Sequence, residues 1–181
     1  MSFQIPTEEL TLVRKSLEGD EQAQYDLYNK YVQAMYHTAY RMIGNAADTE
    51  DVLQEAFTKV FHKLDSFKAE SSLGAWIKRI VVNTTLNFLR GQQNTNWETV
   101  EEYGDYAEYE EEDHDGAYNV QEIHNAIQDL PDGCKSVFNL YQMEGYQHQE
   151  IAEILNISTS TSKSQYQRAK KLLRQKLTFI L

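Results

Sequence analysis

Lys163, Ser164, Gln167 and Arg168 are spaced i, i+1, i+4 and i+5, which on a helix gathers them along one side. Lys and Arg can pair with guanine O6 and N7, and Gln with adenine, each good pair discriminating by about 1–3 kcal/mol. The chemistry on offer is the reading of base edges. Lys170, Lys171 and Arg174 lie farther along and suit phosphates, which position a protein on DNA without specifying sequence. Between Ser158 and Leu181 there are six bases (Lys163, Arg168, Lys170, Lys171, Arg174 and Lys176) and no acid. Tyr166 and Leu173 read as core residues of the same helix.

Side chains of this kind need a partner helix to hold them at the right angle. Just upstream, Ile151, Ala152 and Leu155 share one face of a short helix. Asn156 stands where a left-handed residue would end it, Asn being the non-glycine residue that best tolerates that conformation. Ile157 is expected to plug the gap between the helices, and Ser158 or Ser160 to cap the second. Short helix, tight turn and cationic helix make a helix-turn-helix pattern. The bland alternative is a helical hairpin with a solvated basic face.

The rest of this last domain starts near Asn119. Val120, Ile123, Ile127 and Leu130 define a helix stopped by Pro131. Asp132 is expected to cap the next, with Val137, Phe138, Leu140 and Tyr141 inward and Gly145 at its end. His148 is expected on the surface of the following first turn. Cys134 is the one cysteine of the 181 residues, so no internal disulfide forms and a reducing compartment fits. Nothing near it in sequence would make it a nucleophile.

The net charge of −11 is at odds with DNA binding until it is located. Ten acids (Glu98, Glu101, Glu102, Asp105, Glu108, Glu110, Glu111, Glu112, Asp113 and Asp115) and no Lys or Arg fall between Gly91 and Val120. Without those ten, 18 acids face 17 bases. Like-charge crowding and the lack of any apolar period predict a flexible linker over 92–118. Its carboxylates lack the loop spacing of a calcium site. Trp97, Tyr103, Tyr106 and Tyr109 would be its adhesive points.

Residues 7–91 read as a helical domain. Ala23, Leu27, Tyr31, Met35, Ala39 and Ile43 recur every four residues behind Asp20, with Gly44 and Asn45 as a stop. Asp48 is expected to cap the next helix, whose stripe is Val52, Leu53, Ala56, Phe57, Val60, Phe61 and Leu64. Glu50, Asp51, Gln54 and Glu55 occupy its other face. A polar loop leads to a helix from Leu73 to Arg90 with Trp76, Ile77, Ile80 and Thr84 inward. The fold class is all-α: two helical domains joined by an acidic linker. Five histidines without ligand spacing, and no nucleophile–base set, phosphate loop or zinc pattern, predict no enzyme, metal or cofactor. No stretch is apolar enough to span a membrane, and MSFQIPTEEL carries no secretory signal, so a cytoplasmic protein is expected.

Domain, acidic linker and terminal helix-turn-helix, in that order, resemble the bacterial RNA polymerase sigma factors of the extracytoplasmic-function (ECF) type. DTEDVLQEAFTKVF (48–61) is similar to the family's core-polymerase-binding helix, with Val52 in place of a Leu. SLGAWIKRIVVNTTLNFLR (72–90) resembles the helix that engages and melts the promoter's −10 element. LPDGCKSVFNLYQMEGYQHQEIAEILNISTSTSKSQYQRAKKLL (130–173) resembles the domain that reads the −35 element. Gln147 stands where the family often has Ser, Ser162 where it has Val, and Tyr166 where it has Leu or Ile.

The resemblance implies an alternative sigma factor with a region 2-like domain (7–91) and a region 4-like domain (119–181). Core polymerase binding falls to Asp48, Glu50, Asp51, Gln54 and Glu55, against a coiled coil of the largest subunit; the helix dipole alone would also favour acids there. The −10 element falls to Phe67, Ser71, Ser72, Lys78, Arg79, Asn83 and Asn87, and the −35 element to Lys163, Ser164, Gln167, Arg168 and Lys171. The partners implied are core RNA polymerase, promoter DNA and an anti-sigma factor, and the linker would either thread toward the RNA path as an RNA mimic or serve as a passive soluble tether. The rival reading is a stand-alone helix-turn-helix regulator whose first domain senses an effector or dimerises. It predicts tight DNA binding by the free protein, whereas a sigma factor gains affinity on joining the polymerase.

Overall fold

The computed structural model describes residues 6–92 and 120–178, and among these there is helix, turn and loop but no strand. The acidic linker, apart from Gln92, lies outside the described residues. The chain divides into two compact units, one ending at Gln93 and the other beginning at Asn94.

The first unit contains α1 (Thr7–Leu17), α2 (Glu21–Ile43), α3 (Ala46–His62), a single 3-10 turn (Leu64–Ser66) and α4 (Leu73–Gln92). Asp20 caps α2 as expected, its Oδ1 accepting the Ala23 N–H at 3.1 Å. Gly44 closes that helix in the left-handed conformation, φ 79°. The cap of α3 is Asn45 and not Asp48. Asn45 Oδ1 accepts the Asp48 N–H at 3.1 Å, which places Asp48 inside the first turn. Asn45 is already extended after the Gly44 turn (φ −123°, ψ 131°), as a cap must be, so the cap falls three residues before Asp48.

Apolar stripes from α2, α3 and α4 meet in one core. Leu27, Val60, Leu64, Leu73, Ile77 and Val81 are fully or almost fully buried there. α1, which periodicity does not set apart, is clasped to α2 by a carboxylate. Glu9 Oε1 accepts from Lys30 Nζ at 2.8 Å and from Tyr31 Oη at 2.9 Å. The Lys30 ammonium holds the Glu9 carboxyl below its usual range, and burial, reinforced by Glu9, pushes the Tyr31 hydroxyl upward.

The second unit contains α5 (Val120–Gln128), α6 (Asp132–Phe138), a π-helical turn (Asn139–Met143) continuing α6, α7 (His148–Leu155) and α8 (Thr159–Thr178). Asp132 does not cap α6 but is its first residue. Pro131 occupies the cap position with φ −53° and ψ 142°, and its carbonyl accepts the Lys135 N–H at 2.8 Å. The turn before α8 follows the expectation closely. Asn156 is left-handed (φ 56°), and Ser158, not Ser160, is the cap, its Oγ accepting the Thr161 N–H at 2.9 Å. Ala126, Ile127, Leu130, Cys134, Phe138, Ala169 and Leu173 form the core beneath α8.

Candidate functional site

α8 is built with two distinct sides. Lys163, Gln167 and Lys171 are exposed, while Ser164 and Arg168 are half-buried at their margin. Ser164 Oγ donates to the Thr161 carbonyl at 3.0 Å, and Arg168 lies close enough to Cys134 for its charge to oppose the upward push of burial on that thiol. The face that sequence spacing gathers is therefore a real surface of charge and amide. On the other side Ser162, Gln165, Ala169 and Leu173 are buried.

Two of those buried residues are polar, and their partners come from other helices. Ser162 Oγ lies 2.9 Å from His148 Nδ1 on α7, and Cys134 Sγ on α6 donates to Gln165 Oε1 at 2.9 Å. His148 is thus half-buried rather than fully exposed. Its ring stacks on Tyr141 (centroids 4.3 Å apart) and meets Tyr166 edge-on at 5.8 Å. Burial lowers its pKa below 6.5, and the Lys163 ammonium pushes the same way. Tyr166 is half-buried against the core, with its hydroxyl donating to Gln142 Oε1 at 2.9 Å; Leu173 is buried as expected. Sequence reasoning missed both polar pairs, which join residues 14 and 31 positions apart. The departures at Ser162 and Tyr166 were the only signal.

The first unit presents a second surface. Glu50, Asp51, Gln54 and Glu55 are exposed along α3, with Asp48 half-buried at its start. Glu55 Oε1 accepts from Lys59 Nζ at 2.5 Å, and Lys59 also reaches Thr84 Oγ1 on α4 at 3.4 Å. The row is an acidic and amide strip along one helix.

Beyond the C-terminal end of α3 comes the loop before α4. Phe67 is half-buried with its ring 5.5 Å from that of Trp76, itself half-buried on the core. Ala69 is left-handed at φ 59°, a conformation costly for a residue with a Cβ. Ser72 is engaged as the cap of α4, its Oγ accepting the Ala75 N–H at 3.1 Å, and Ser71 Oγ contacts the Ser72 carbonyl at 3.4 Å. Arg79, Asn83 and Asn87 are exposed at four-residue intervals, with Lys78 half-buried alongside. Among the described residues no cluster of three or more His, Cys, Asp or Glu could hold a metal ion, and no helix is long and apolar enough to cross a membrane.

The acidic strip, loop and polar helix of one unit and the cationic helix-turn-helix of the other fall in segments that match transcription initiation factors of the sigma-70 class. The profile for Sigma-70 region 2 matches residues 27–95, and that for Sigma-70, region 4 matches residues 120–173. The ECF RNA polymerase sigma factor SigW of Bacillus subtilis is 31% identical over 176 residues, covering 91% of this chain and 94% of the relative. The RNA polymerase sigma-H factor of Pseudomonas aeruginosa is 29% identical over 181 residues, covering 94% of each. The chain belongs to the ECF RNA polymerase sigma factors. It is an alternative sigma factor, which joins core RNA polymerase and directs it to promoters. The fold is shared with the sigma factor RpoE of Bartonella quintana, solved with the anti-sigma factor NepR (TM-score 0.59, 23% identity, 85% of this chain and 96% of that one). CnrH, solved with the cytosolic domain of CnrY, matches with TM-score 0.56 at 22% identity, over 93% of this chain and 96% of that one.

Proposed function

We propose that the work is divided by surface. The strip Asp48, Glu50, Asp51, Gln54 and Glu55 docks on a basic coiled coil of the polymerase's largest subunit. Phe67, Ser71, Ser72, Lys78, Arg79, Asn83 and Asn87 engage the −10 element as it opens. Extruding a base costs a few kcal/mol, which stacking and backbone contacts must offset. Lys163, Ser164, Gln167, Arg168 and Lys171 read the −35 element, the first four along base edges and Lys171 at phosphates. Domain limits of 7–91 and 119–181, with the acidic tether between, follow from the same reading. The chain is a binding subunit and the catalysis belongs to the polymerase, so its place of action is the cytoplasm.

The observation that carries this division is the exposure of the α3 strip in one unit and of the cationic α8 face in the other. An anti-sigma partner is proposed by analogy with the sigma factor of Bartonella quintana solved with the anti-sigma factor NepR. The stand-alone regulator is not favoured. Co-elution with bacterial core polymerase on a sizing column at physiological salt is the test. The expected result is a stoichiometric complex that protects promoter DNA, with weak duplex binding by the free chain. No complex, together with tight duplex binding by the free protein, would overturn it.

A further inference from the structure

Resting on the reading that α8 enters the −35 groove, we infer that Ser162 and Gln165 are positioning residues that fix the rotation of α8 about its own axis. They thereby decide which of its side chains meet the bases. Both are buried, at 0% and 6% exposure, in the first turns of the helix, interleaved with the exposed Lys163 and Gln167 and the half-buried Ser164. Each has one partner on a different helix: His148 Nδ1 on α7 for Ser162, and Cys134 Sγ on α6 for Gln165. The Gln165 amide packs closely over Gly133, where a Cβ would lie 3.0 Å from Gln165 Nε2 and would push the amide aside by a few tenths of an ångström.

The remaining fully buried residues of the stripe, Ala169 and Leu173, are a small residue and one aliphatic chain, with Tyr166, Leu172 and Leu177 packed at its edge and the Tyr166 hydroxyl on Gln142 as a further directional contact. Apolar burial is non-directional and tolerates small rotations, whereas a hydrogen bond weakens steeply with misalignment. Turning a helix by about 20° moves an atom about 6 Å from its axis by about 2 Å. That exceeds the tolerance of any base-edge hydrogen bond. Two directional contacts to two different helices, three residues apart, hold the rotation where the stripe alone would let it drift. The Tyr141–His148–Tyr166 ring cluster keeps the imidazole itself in place.

The test is the base-preference profile across the −35 element, measured with the reconstituted polymerase holoenzyme on a library of promoters. The variants are Ser162→Ala, Gln165→Leu, Cys134→Ala and Cys134→Ser, each checked for helicity and for polymerase binding. The expected result is that the first three bind polymerase like the parent but lose preference at contacted positions by about fivefold or more, the low end of one good base contact. Cys134→Ser, which keeps a donor for Gln165, retains the parental profile. If Gln165→Leu fails to fold, the Ala and Ser variants of Cys134 carry the comparison. Unchanged preference in Ser162→Ala and Cys134→Ala, while Lys163→Ala alters it, would overturn this inference alone. If Lys163→Ala and Gln167→Ala leave the profile unchanged as well, the groove reading falls and takes the inference with it.

Discussion

At the scale of single residues, exposure separates recognition from folding. Asp51 is exposed on α3, and exposed substitutions away from special features usually change stability by within about 0.5 kcal/mol. Asp51→Arg is therefore expected to abolish co-elution with core polymerase while leaving helicity by circular dichroism unchanged; a loss of helicity would instead assign the residue to the fold. His148 makes a pH-dependent contribution whose sign follows from its environment. Its folded-state pKa lies below the ordinary 6.5 because of burial and Lys163, so the neutral form is the one the fold favours. The stability it supports is complete above the unfolded value of about 6.5 and declines as pH falls below it. Melts of the parent between pH 7.5 and 5 should show that loss on top of the other titrations. His148→Gln should lack it, and parallel curves would remove the imidazole from the account. The sequence displayed the outward residues of α8 by spacing alone, because helical geometry is local. It could not display the partners of Ser162 and Gln165, which tertiary packing selects from distant positions.

At the scale of elements, caps decide where helices begin, and they show how far local rules reach. Asn156, Asp20 and Gly44 were each legible, and Ser158 as one of two candidates with Ser160, because each acts on backbone within a few residues. Asn45 and Pro131 displaced Asp48 and Asp132 for a conformational reason: the residue already extended before the helix takes the cap, whichever carboxylate follows. Ser158→Ala should lower the stability of the second unit by about 1 kcal/mol, read by denaturant titration. Restoration by Ser158→Asp would confirm that the cap and not the side-chain volume is responsible. The π-helical turn at Asn139–Met143 had no visible signal, since one extra residue in a single widened turn leaves the apolar pattern around Leu140 almost intact. α1 escaped separate notice because its attachment rests on Glu9, Lys30 and Tyr31 rather than on a long apolar stripe.

At the scale of the whole molecule, each unit has its own core, one built on Leu27, Val60 and Ile77 and the other on Ile127, Cys134 and Ala169. Ile77→Ala should destabilise the first unit by about 2–5 kcal/mol. Calorimetry on the full chain should then show one transition shifted down and the other in place; a joint shift would mean that the cores unfold together. The two-unit plan was legible because the linker's ten carboxylates interrupt every apolar period, and composition over thirty residues is a coarser signal than any cap.

The buried pairs beneath α8 have a practical consequence for anyone redesigning promoter choice. Grafting residues 159–178 into a relative would appear to transplant the reading head whole. The graft leaves behind His148, Cys134 and Gly133, and arrives in its host with two polar side chains facing strangers. A portable cassette must therefore carry those three upstream positions with it, and inheritance should favour their changing as a set with Ser162 and Gln165.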